Sequence, residues 1–172
     1  MKVILYMSMS VNGFIARENR EEDFLSEDNY QTFVDLANKT GCAIWGRRTH
    51  ETMRTYGKEA FEKIKNVKKI VISQNPDFQI EDGIELIESP KKALEKLEQQ
   101  GFEEVILTGG SSLNSSFAKE NLINEVIFNI QAVIVGKGIP VLSPDDFDLN
   151  LKLKEINKIS ENIIQLHYIV NG

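Results

Sequence analysis

Cysteine is almost absent from this sequence: Cys42 is the only one among 172 residues. A single thiol forms no internal disulfide, and with only two histidines, His50 and His167, the sequence offers too few ligands to predict a zinc site. No apolar run approaches the ~18 residues that a membrane-spanning helix requires, so we expect no membrane partner. The short apolar start lacks a signal-peptide cleavage pattern, which favours a cytoplasmic location. These absences together predict a metal-free cytoplasmic protein.

Basic residues are in the minority, with 20 Lys and Arg against 26 Asp and Glu and a formal net charge of −6. Binding nucleic acid without sequence preference needs a basic surface, so we expect no nucleic-acid partner. The hydrophobic content of 41% excludes the composition that is typical of disordered chains. The length suits one domain of ordinary size, predicted to span 1–172.

Strand-like and helix-like patterns alternate along most of the chain. Such alternation indicates parallel strands joined by crossover helices on both faces of a sheet. The late strands follow one another without long helices, which favours an antiparallel edge. The fold class predicted is therefore α/β, a three-layer sandwich with a mostly parallel central sheet and an antiparallel C-terminal edge. The predicted strands are 3–7, 42–45, 69–73, 105–107, 126–135 and 163–170, and the predicted helices are 26–39, 50–56, 90–101 and 112–120.

Two strand ends carry groups that suit an anion. At 45–49 a strand runs into Gly46, two arginines and Thr49, which can cap a helix that begins at His50. The glycine lets the backbone approach a ligand, the helix start offers free N–H groups, and arginine binds phosphate through a fork of donors. The alternative is a solvated arginine pair on a surface turn.

The second strand end runs from Thr108 through Gly109 and Gly110 into a helix that begins with hydroxyl side chains. It matches neither a Walker A loop nor a dinucleotide fingerprint, and taken alone it is explained equally well as a tight structural turn. A third, weaker end at 73–75 places hydroxyl and amide groups after a strand. Three such ends in one small domain favour a long ligand with several phosphates.

The chain resembles the dihydrofolate reductase-like superfamily, and specifically the group related to the reductase domain of the bifunctional riboflavin-biosynthesis protein. The resemblance covers nearly the whole chain and keeps the family's order of motifs. It implies an NADPH-dependent reductase that transfers a hydride to a small heterocyclic or carbonyl substrate. The segments that carry it are 10–16, 46–53, 72–76, 106–110 and 133–142.

The resemblance also implies a role for each matching position in binding the cofactor. Arg47 matches the residue that holds the adenosine 2′-phosphate, and the glycine pair matches the segment under the pyrophosphate. Relatives in this branch pair through sheet-edge strands, so we expect a homodimer through 126–135, unless that strand lies in the sheet centre. The residues assigned to the cofactor are Ile15, Ala16, Gly46, Arg47, Arg48, Thr49, Ser73, Gln74, Asn75, Thr108, Gly109, Gly110, Ser111, Ser112 and Leu113.

The substrate side departs from the folate enzymes. Tyr30 stands where they carry an acidic residue early in the first long helix, and Asp28 is off that helical face by about 200°. We therefore expect a substrate other than dihydrofolate, and the alternative is a nucleotide-binding or regulatory module without a reaction. We expect His50 to face the cofactor's phosphates or solvent, and the acidic stretch 18–27 to be a solvated loop that can act as a lid. The substrate-side candidates are Asn12, Asp23, Phe24 and Tyr30.

Overall fold

The computed structural model describes residues 1–171, so Gly172, the last residue of the predicted domain, lies outside the described residues. The strands are β1 (Lys2–Ser10), β2 (Phe14–Arg17), β3 (Cys42–Gly46), β4 (Lys68–Ile72), β5 (Ile84–Ile87), β6 (Glu104–Leu107), β7 (Glu125–Gln131), β8 (Gly138–Pro140), β9 (Asn150–Ser160) and β10 (Ile163–Asn171). The helices are α1 (Glu27–Thr40), α2 (Arg47–Thr55), α3 (Glu59–Glu62), α4 (Pro90–Gln99) and α5 (Ser111–Lys119).

Eight strands form one sheet in the order β5-β4-β3-β6-β1-β7-β10-β9. The strands from β5 to β7 pair in parallel. β10 and β9 complete the sheet as antiparallel strands, while β2 and β8 form a separate antiparallel pair. This order confirms the predicted fold class, a mostly parallel central sheet with an antiparallel C-terminal edge.

Helices cover both faces of the sheet, and each face has its own apolar core. On one face Phe33 of α1 packs in a cluster with Trp45 of β3. On the other face Leu97 of α4 and Phe117 of α5 pack in a cluster with Leu107 of β6. Burying each such side chain is worth roughly 1.5–3 kcal/mol, so the two layers hold the strand ends in fixed positions.

Residues with strong local preferences mark the ends of two helices. Ser26 is the N-cap of α1, where its side chain accepts a hydrogen bond from the Asn29 backbone at 3.4 Å. Gly41 ends that helix in the left-handed conformation with φ 76°, which glycine adopts without a steric penalty. Helix α4 follows Ser89 and has Pro90 at its first position, although the Ser89 side chain makes no capping bond.

The predicted start of α2 at His50, capped by Thr49, is wrong. The helix begins at Arg47, and Gly46 is its N-cap, with an extended backbone of φ −86° and ψ 165°. Because Gly46 is also the last residue of β3, the strand passes into the helix without an intervening loop. His50 is therefore the fourth residue of the helix and not its first.

The predicted strand 126–135 is too long, and it does not form an edge. β7 ends at Gln131 and pairs with β1 on one side and β10 on the other. Beyond it the Asn12 side chain binds the Val135 backbone, donating to its carbonyl at 2.7 Å and accepting from its N–H at 3.1 Å. The C-terminal edge is instead β9, a strand with mostly exposed side chains that was not among the predicted strands.

Among residues 1–171, no helix has both the length and the apolar character needed to cross a membrane. Within the same range, no three side chains of His, Cys, Asp or Glu are grouped so that they could hold a metal ion. Cys42 is buried, its thiol donates to the Glu104 carbonyl at 3.1 Å, and burial raises its pKa to about 12. The thiol therefore stays protonated and unreactive at neutral pH.

Candidate active site

Two helix starts meet at the carboxyl edge of the sheet, where β3 and β6 lie side by side. The N–H of Gly46, before α2, donates to the carbonyl of Gly109 at 2.8 Å. Gly110 is the N-cap of α5. Because both N-caps are glycines, no side chain competes for the first N–H groups of either helix, and these groups carry the positive end of the helix dipole. The structure thus brings the first two predicted segments together.

The Gly109–Gly110 segment packs closely against the side chains of Met7 and Thr49. Its peptide bond is cis, and Gly109 has φ 90°. A Cβ at Gly109 would lie 3.2 Å from Cε of Met7, and a Cβ at Gly110 would lie 3.4 Å from Oγ1 of Thr49. We call Gly46, Gly109 and Gly110 with the two helix starts the glycine cradle. Its open backbone gives a ligand close access to free N–H groups.

Both predicted arginines flank the glycine cradle and keep donors available. The Arg47 side chain is 41% exposed, makes only a 3.4 Å contact with Glu51, and lies 5.9 Å from the ring centre of Phe78. Arg48 is exposed and forms no ion pair with any residue in 1–171. A guanidinium without a strong partner next to a helix start is suited to bind phosphate.

His50 faces the interior, so the expectation that it faces phosphates or solvent is wrong. Its side chain is fully buried, and the Trp45 indole N–H donates to its Nδ1 at 3.2 Å. Since Nδ1 accepts, Nε2 carries the proton and donates to Glu81 at 2.7 Å. Burial lowers the pKa of His50, although Glu81 opposes the shift. His50 therefore ties α2 to β3 and to the loop that carries Glu81.

A cavity of about 500 Å³ opens beside the glycine cradle, and we call it the site cavity. Thr49, Thr108 and Gly110 line it together with residues from β1, α1 and α2, so one continuous surface joins the two regions. Its apolar lining includes Met7, Ile15, Phe33 and Met53. A concave, largely apolar pocket with a few polar groups is typical of a small-molecule site.

A buried polar network lies behind this apolar lining. The Tyr6 hydroxyl is 2.6 Å from Thr32 Oγ1 and accepts from the Asn129 amide at 2.8 Å. The Ser8 hydroxyl donates to Asn29, which also accepts from Asn129. Burial raises the pKa of Tyr6 to about 12. The network therefore stays uncharged at neutral pH and fixes Tyr6, Ser8 and Asn29, which line the site cavity.

At the mouth of the site cavity, the Tyr56 hydroxyl donates to the Glu22 carboxylate at 2.8 Å. Burial raises the pKa of both groups, and the nearby Glu22 charge raises that of Tyr56 further. Lys63 also lines the mouth. Its ammonium group pairs with Glu27 at 2.9 Å and lies 4.9 Å from the ring centre of Tyr30.

Of the four substrate-side candidates, only Tyr30 lines the site cavity, with its hydroxyl donating to the Ala60 carbonyl at 2.7 Å. Asp23 forms an ion pair with Arg17 at 2.6 Å. Phe24 lines a second cavity together with Asp28. Asn12 is committed to the Val135 backbone. The structure therefore separates Asn12, Asp23 and Phe24 from the site cavity.

The remaining cofactor-side residues occupy varied positions around the cradle. Ile15 lines the site cavity, whereas Ala16 is buried and pairs with β8. Ser73 and Asn75 use their side chains in a local turn, and Gln74 is exposed. Ser111, Ser112 and Leu113 form the start of α5. The hydroxyls of Ser111 and Ser112 lie 2.8 and 3.4 Å from the Ser143 hydroxyl. Leu113 packs near Gly46, where an added Cβ would lie 3.8 Å from the Leu113 Cβ.

Sequence reasoning missed most of the polar groups that surround the site cavity. Glu22 lies within the acidic stretch that was assigned to a solvated loop, and Tyr56 lies at the end of α2. Tyr6 and Ser8 alternate along β1, a periodicity that indicates a strand but not a pocket. The nearest available signal was the acidic stretch itself, because it was expected to act as a lid.

Comparisons with known proteins identify the family of the chain. The family described as the RibD C-terminal domain matches residues 1–165. The uncharacterized protein YyaP of Bacillus subtilis is 25% identical over 180 residues, covering 99% of this chain and 96% of that protein. The uncharacterized protein YwjB of the same organism is 27% identical over 172 residues, with coverages of 98% and 97%.

Solved structures share the fold along the whole chain. A riboflavin biosynthesis-related protein of Shewanella sp. PV-4 superposes with a TM-score of 0.84 at 21% identity and full coverage of both chains. A pyrimidine reductase-like protein of Corynebacterium diphtheriae gives 0.77 at 14% identity, covering 99% of this chain and 92% of that one.

A larger protein also matches. A diaminohydroxyphosphoribosylaminopyrimidine deaminase/5-amino-6-(5-phosphoribosylamino)uracil reductase of Thermotoga maritima gives a TM-score of 0.76 at 17% identity, covering 99% of this chain and 56% of that one. The family match and these neighbours support a reductase-type function, and they confirm the resemblance to the dihydrofolate reductase-like superfamily. The chain belongs to the RibD C-terminal domain family.

Proposed function

We propose that this protein is an NADPH-dependent reductase that transfers a hydride to a small heterocyclic or carbonyl substrate in the site cavity. The observation that carries the proposal is the continuity between the glycine cradle and the site cavity through Thr49, Thr108 and Gly110. A ligand with phosphates in the cradle can thereby extend a ring into the cavity.

The residues present fit the phosphates of this cofactor. The starts of α2 and α5 leave backbone N–H groups for the pyrophosphate, and the Cβ distances at Gly109 and Gly110 show that side chains there would crowd Met7 and Thr49. Arg47 has its guanidinium available for the 2′-phosphate that distinguishes NADPH from NADH, and Phe78 lies beside it. The adenosine end would lie near the turn formed by Ser73, Gln74 and Asn75. In that turn the side-chain oxygens of Ser73 and Asn75 already accept backbone hydrogen bonds, whereas Gln74 is exposed.

NADPH, when bound, supplies the hydride, and the chain's own residues provide binding, orientation and exclusion of water. The apolar side chains of Met7, Ile15 and Phe33 keep water from the inner part of the site cavity. The Ser8 hydroxyl, fixed by its bond to Asn29 in the buried network, has an oxygen that can accept a hydrogen bond and so orient a substrate ring. Orientation of this kind is a large part of what a protein contributes to such a reaction.

Dihydrofolate does not fit this proposal. Tyr30 lines the site cavity where folate enzymes carry a carboxylate, and Asp28 lines a different cavity. Without a charged partner, the guanidine-like edge of the pterin would lose roughly 2–5 kcal/mol. A hydroxyl of Tyr30 stays uncharged near neutral pH, since burial raises its pKa.

The experiment follows NADPH oxidation by the pure protein with a panel of pterins, aminopyrimidines, pyrimidine phosphates and aldehydes. We expect turnover with at least one small substrate and only background rates with dihydrofolate. Binding of NADPH without turnover of any panel member would instead favour the nucleotide-binding module. Turnover of dihydrofolate near ~10 s⁻¹, an ordinary enzyme rate, would contradict the exclusion of folate.

We further propose that the protein is a cytoplasmic homodimer. The single cysteine is unpaired and buried, which suits a reducing compartment. For the dimer, β9 is the C-terminal edge of the sheet and exposes Leu151, Leu153 and Ile156. An exposed apolar edge strand favours pairing with another chain. Sedimentation should therefore show a dimer that Ile156→Lys dissociates, and a monomer at high micromolar concentration would contradict it.

A further inference from the structure

Charge is distributed unevenly around the site cavity. Three carboxylates line it, those of Glu22, Glu27 and Glu59. The only lining cation within residues 1–171 is Lys63, and no arginine or histidine joins it. The substrate end of the site therefore carries an excess of negative charge, in contrast to the two arginines beside the glycine cradle.

Lys63 does little to offset this excess. Its ammonium group already pairs with Glu27 at 2.9 Å and lies against the face of the Tyr30 ring. An anionic substrate group would have to share the Lys63 charge with Glu27. The remaining carboxylates, Glu22 and Glu59, have no cation partner among residues 1–171.

Glu22 is a partly buried carboxylate with a single hydrogen bond from the protein. It is half-buried, and Tyr56 supplies one hydrogen bond, to Oε2. A carboxylate accepts several hydrogen bonds, so most of its capacity remains unused. Its pKa is raised because burial outweighs the stabilisation from Tyr56. A ligand N–H group would restore the interactions that burial removes.

We propose that the site cavity takes flat substrates that are uncharged or cationic and rejects phosphorylated ones, with Glu22 accepting a hydrogen bond from a substrate N–H. The proposal rests on the function proposed above and specifies its substrate class. Apolar side chains such as Met7, Phe33 and Met53 provide surfaces for a ring. A phosphate group on that ring would enter a partly desolvated space that already holds like charges.

The proposal is tested with four probes that share one ring and differ in charge: benzamidinium, benzamide, benzoate and phenyl phosphate. Their dissociation constants are measured by NMR titration of the cofactor-free protein. We expect benzamidinium to bind at least about tenfold more tightly than benzoate, benzamide to lie between them, and phenyl phosphate to show no shifts in the site cavity. Phenyl phosphate binding as tightly as benzamidinium would contradict the proposal and implicate Lys63.

The role of Glu22 is tested by Glu22→Gln, with Glu21→Gln as the matched control, because Glu21 is the exposed neighbour in the same loop and does not line the cavity. Glu22→Gln should reduce the benzamidinium affinity by about tenfold or more, the lower range for a hydrogen bond to a charged group. Glu21→Gln should leave it unchanged. An equal reduction in both variants, or none in Glu22→Gln, would contradict the role of Glu22.

Binding of NADPH to the same samples separates this inference from the proposed function. NADPH binding together with no charge preference among the probes would contradict only the substrate class. If the protein shows the expected charge preference but does not bind NADPH, the proposed reductase function is contradicted and the charge preference of the cavity stands.

Discussion

The glycine cradle is built from backbone, whereas the site cavity beside it is built from side chains. Gly46, Gly109 and Gly110 come from two neighbouring strand ends, and their positions follow from the sheet order. The cavity takes Tyr6 from β1, Glu22 from the loop after β2, and Tyr56 from the end of α2. The two regions also differ in charge, with arginines beside the cradle and carboxylates around the cavity. The difference explains why fold-level reasoning locates one region and not the other.

The largest effect should come from disturbing the backbone of the cradle with Gly109→Ala. Alanine at φ 90° is strained, and its Cβ would lie 3.2 Å from Met7, so the N–H groups would shift. We expect NADPH affinity to fall on the order of 100-fold or more, because at least two hydrogen bonds to charged phosphates, each worth about 1.5–3 kcal/mol, would weaken. Calorimetric titration with NADPH measures this change.

Gly136→Ala is the matched control for this substitution. Gly136 has no positive φ, and a Cβ there would meet nothing within 4 Å. It should therefore leave both NADPH affinity and thermal stability near the wild-type values. Wild-type affinity in Gly109→Ala would show that the cradle does not hold the cofactor through its backbone.

A smaller and more selective effect is expected from the arginines. Arg47→Ala should cost about 1.5–3 kcal/mol in NADPH binding, the range for a hydrogen bond to a charged group, and much less in NADH binding. Arg48→Ala should weaken both cofactors to a similar extent, because the pyrophosphate is common to both. Titrations of each variant with each cofactor measure the difference. Equal losses for both cofactors in Arg47→Ala would refute its assignment to the 2′-phosphate.

The smallest effect concerns His50, which supports the cradle from beneath α2. Because burial lowers its pKa in the folded protein, the unfolded chain binds the proton more readily. Its contribution to stability is therefore fully present above pH ~6.5, the ordinary histidine value, and is lost as the pH falls below it.

This pH dependence is measured by urea unfolding at pH 8.0 and pH 5.5. The wild-type free energy of unfolding should drop more between these values than that of His50→Gln, which has no proton to take up. His167→Gln serves as the comparison, since His167 lies in β10 and contacts Glu125 at 2.6 Å, and this variant should keep the drop that His50 causes. An equal drop in the wild type and in His50→Gln would contradict the role assigned to His50 burial.

Much of the fold could be predicted because its signals are local. Ser26 and Gly41 bound α1, Pro90 opens α4, and apolar runs mark the buried parallel strands. β9 was missed although Leu151 and Leu153 alternate with Lys152 and Lys154, because its side chains are mostly exposed and only this short stretch carries a strand pattern. α2 was misplaced by a few residues because Gly46 ends a strand and caps a helix at once.

In the site, too, the features that follow from the sheet were predictable, and those that depend on tertiary contacts were not. The predicted cradle residues meet because parallel strands share a carboxyl edge, a rule that needs only the sheet. Asn12, Asp23 and Phe24 were predicted near the substrate from the family resemblance, whereas their contacts in the folded chain lie outside the site cavity. Glu22 and Tyr56 are 34 residues apart, and only the folded chain brings them together.

The most direct test of the central claim is a backbone amide NMR map of NADPH binding to the wild-type protein. The account predicts saturable shifts that are largest at Gly46, Arg47, Gly110 and Ser111, the residues at the two helix starts, with smaller shifts at the residues that line the site cavity. An absence of saturable binding at millimolar NADPH, or shifts confined to surfaces away from the glycine cradle, would contradict it.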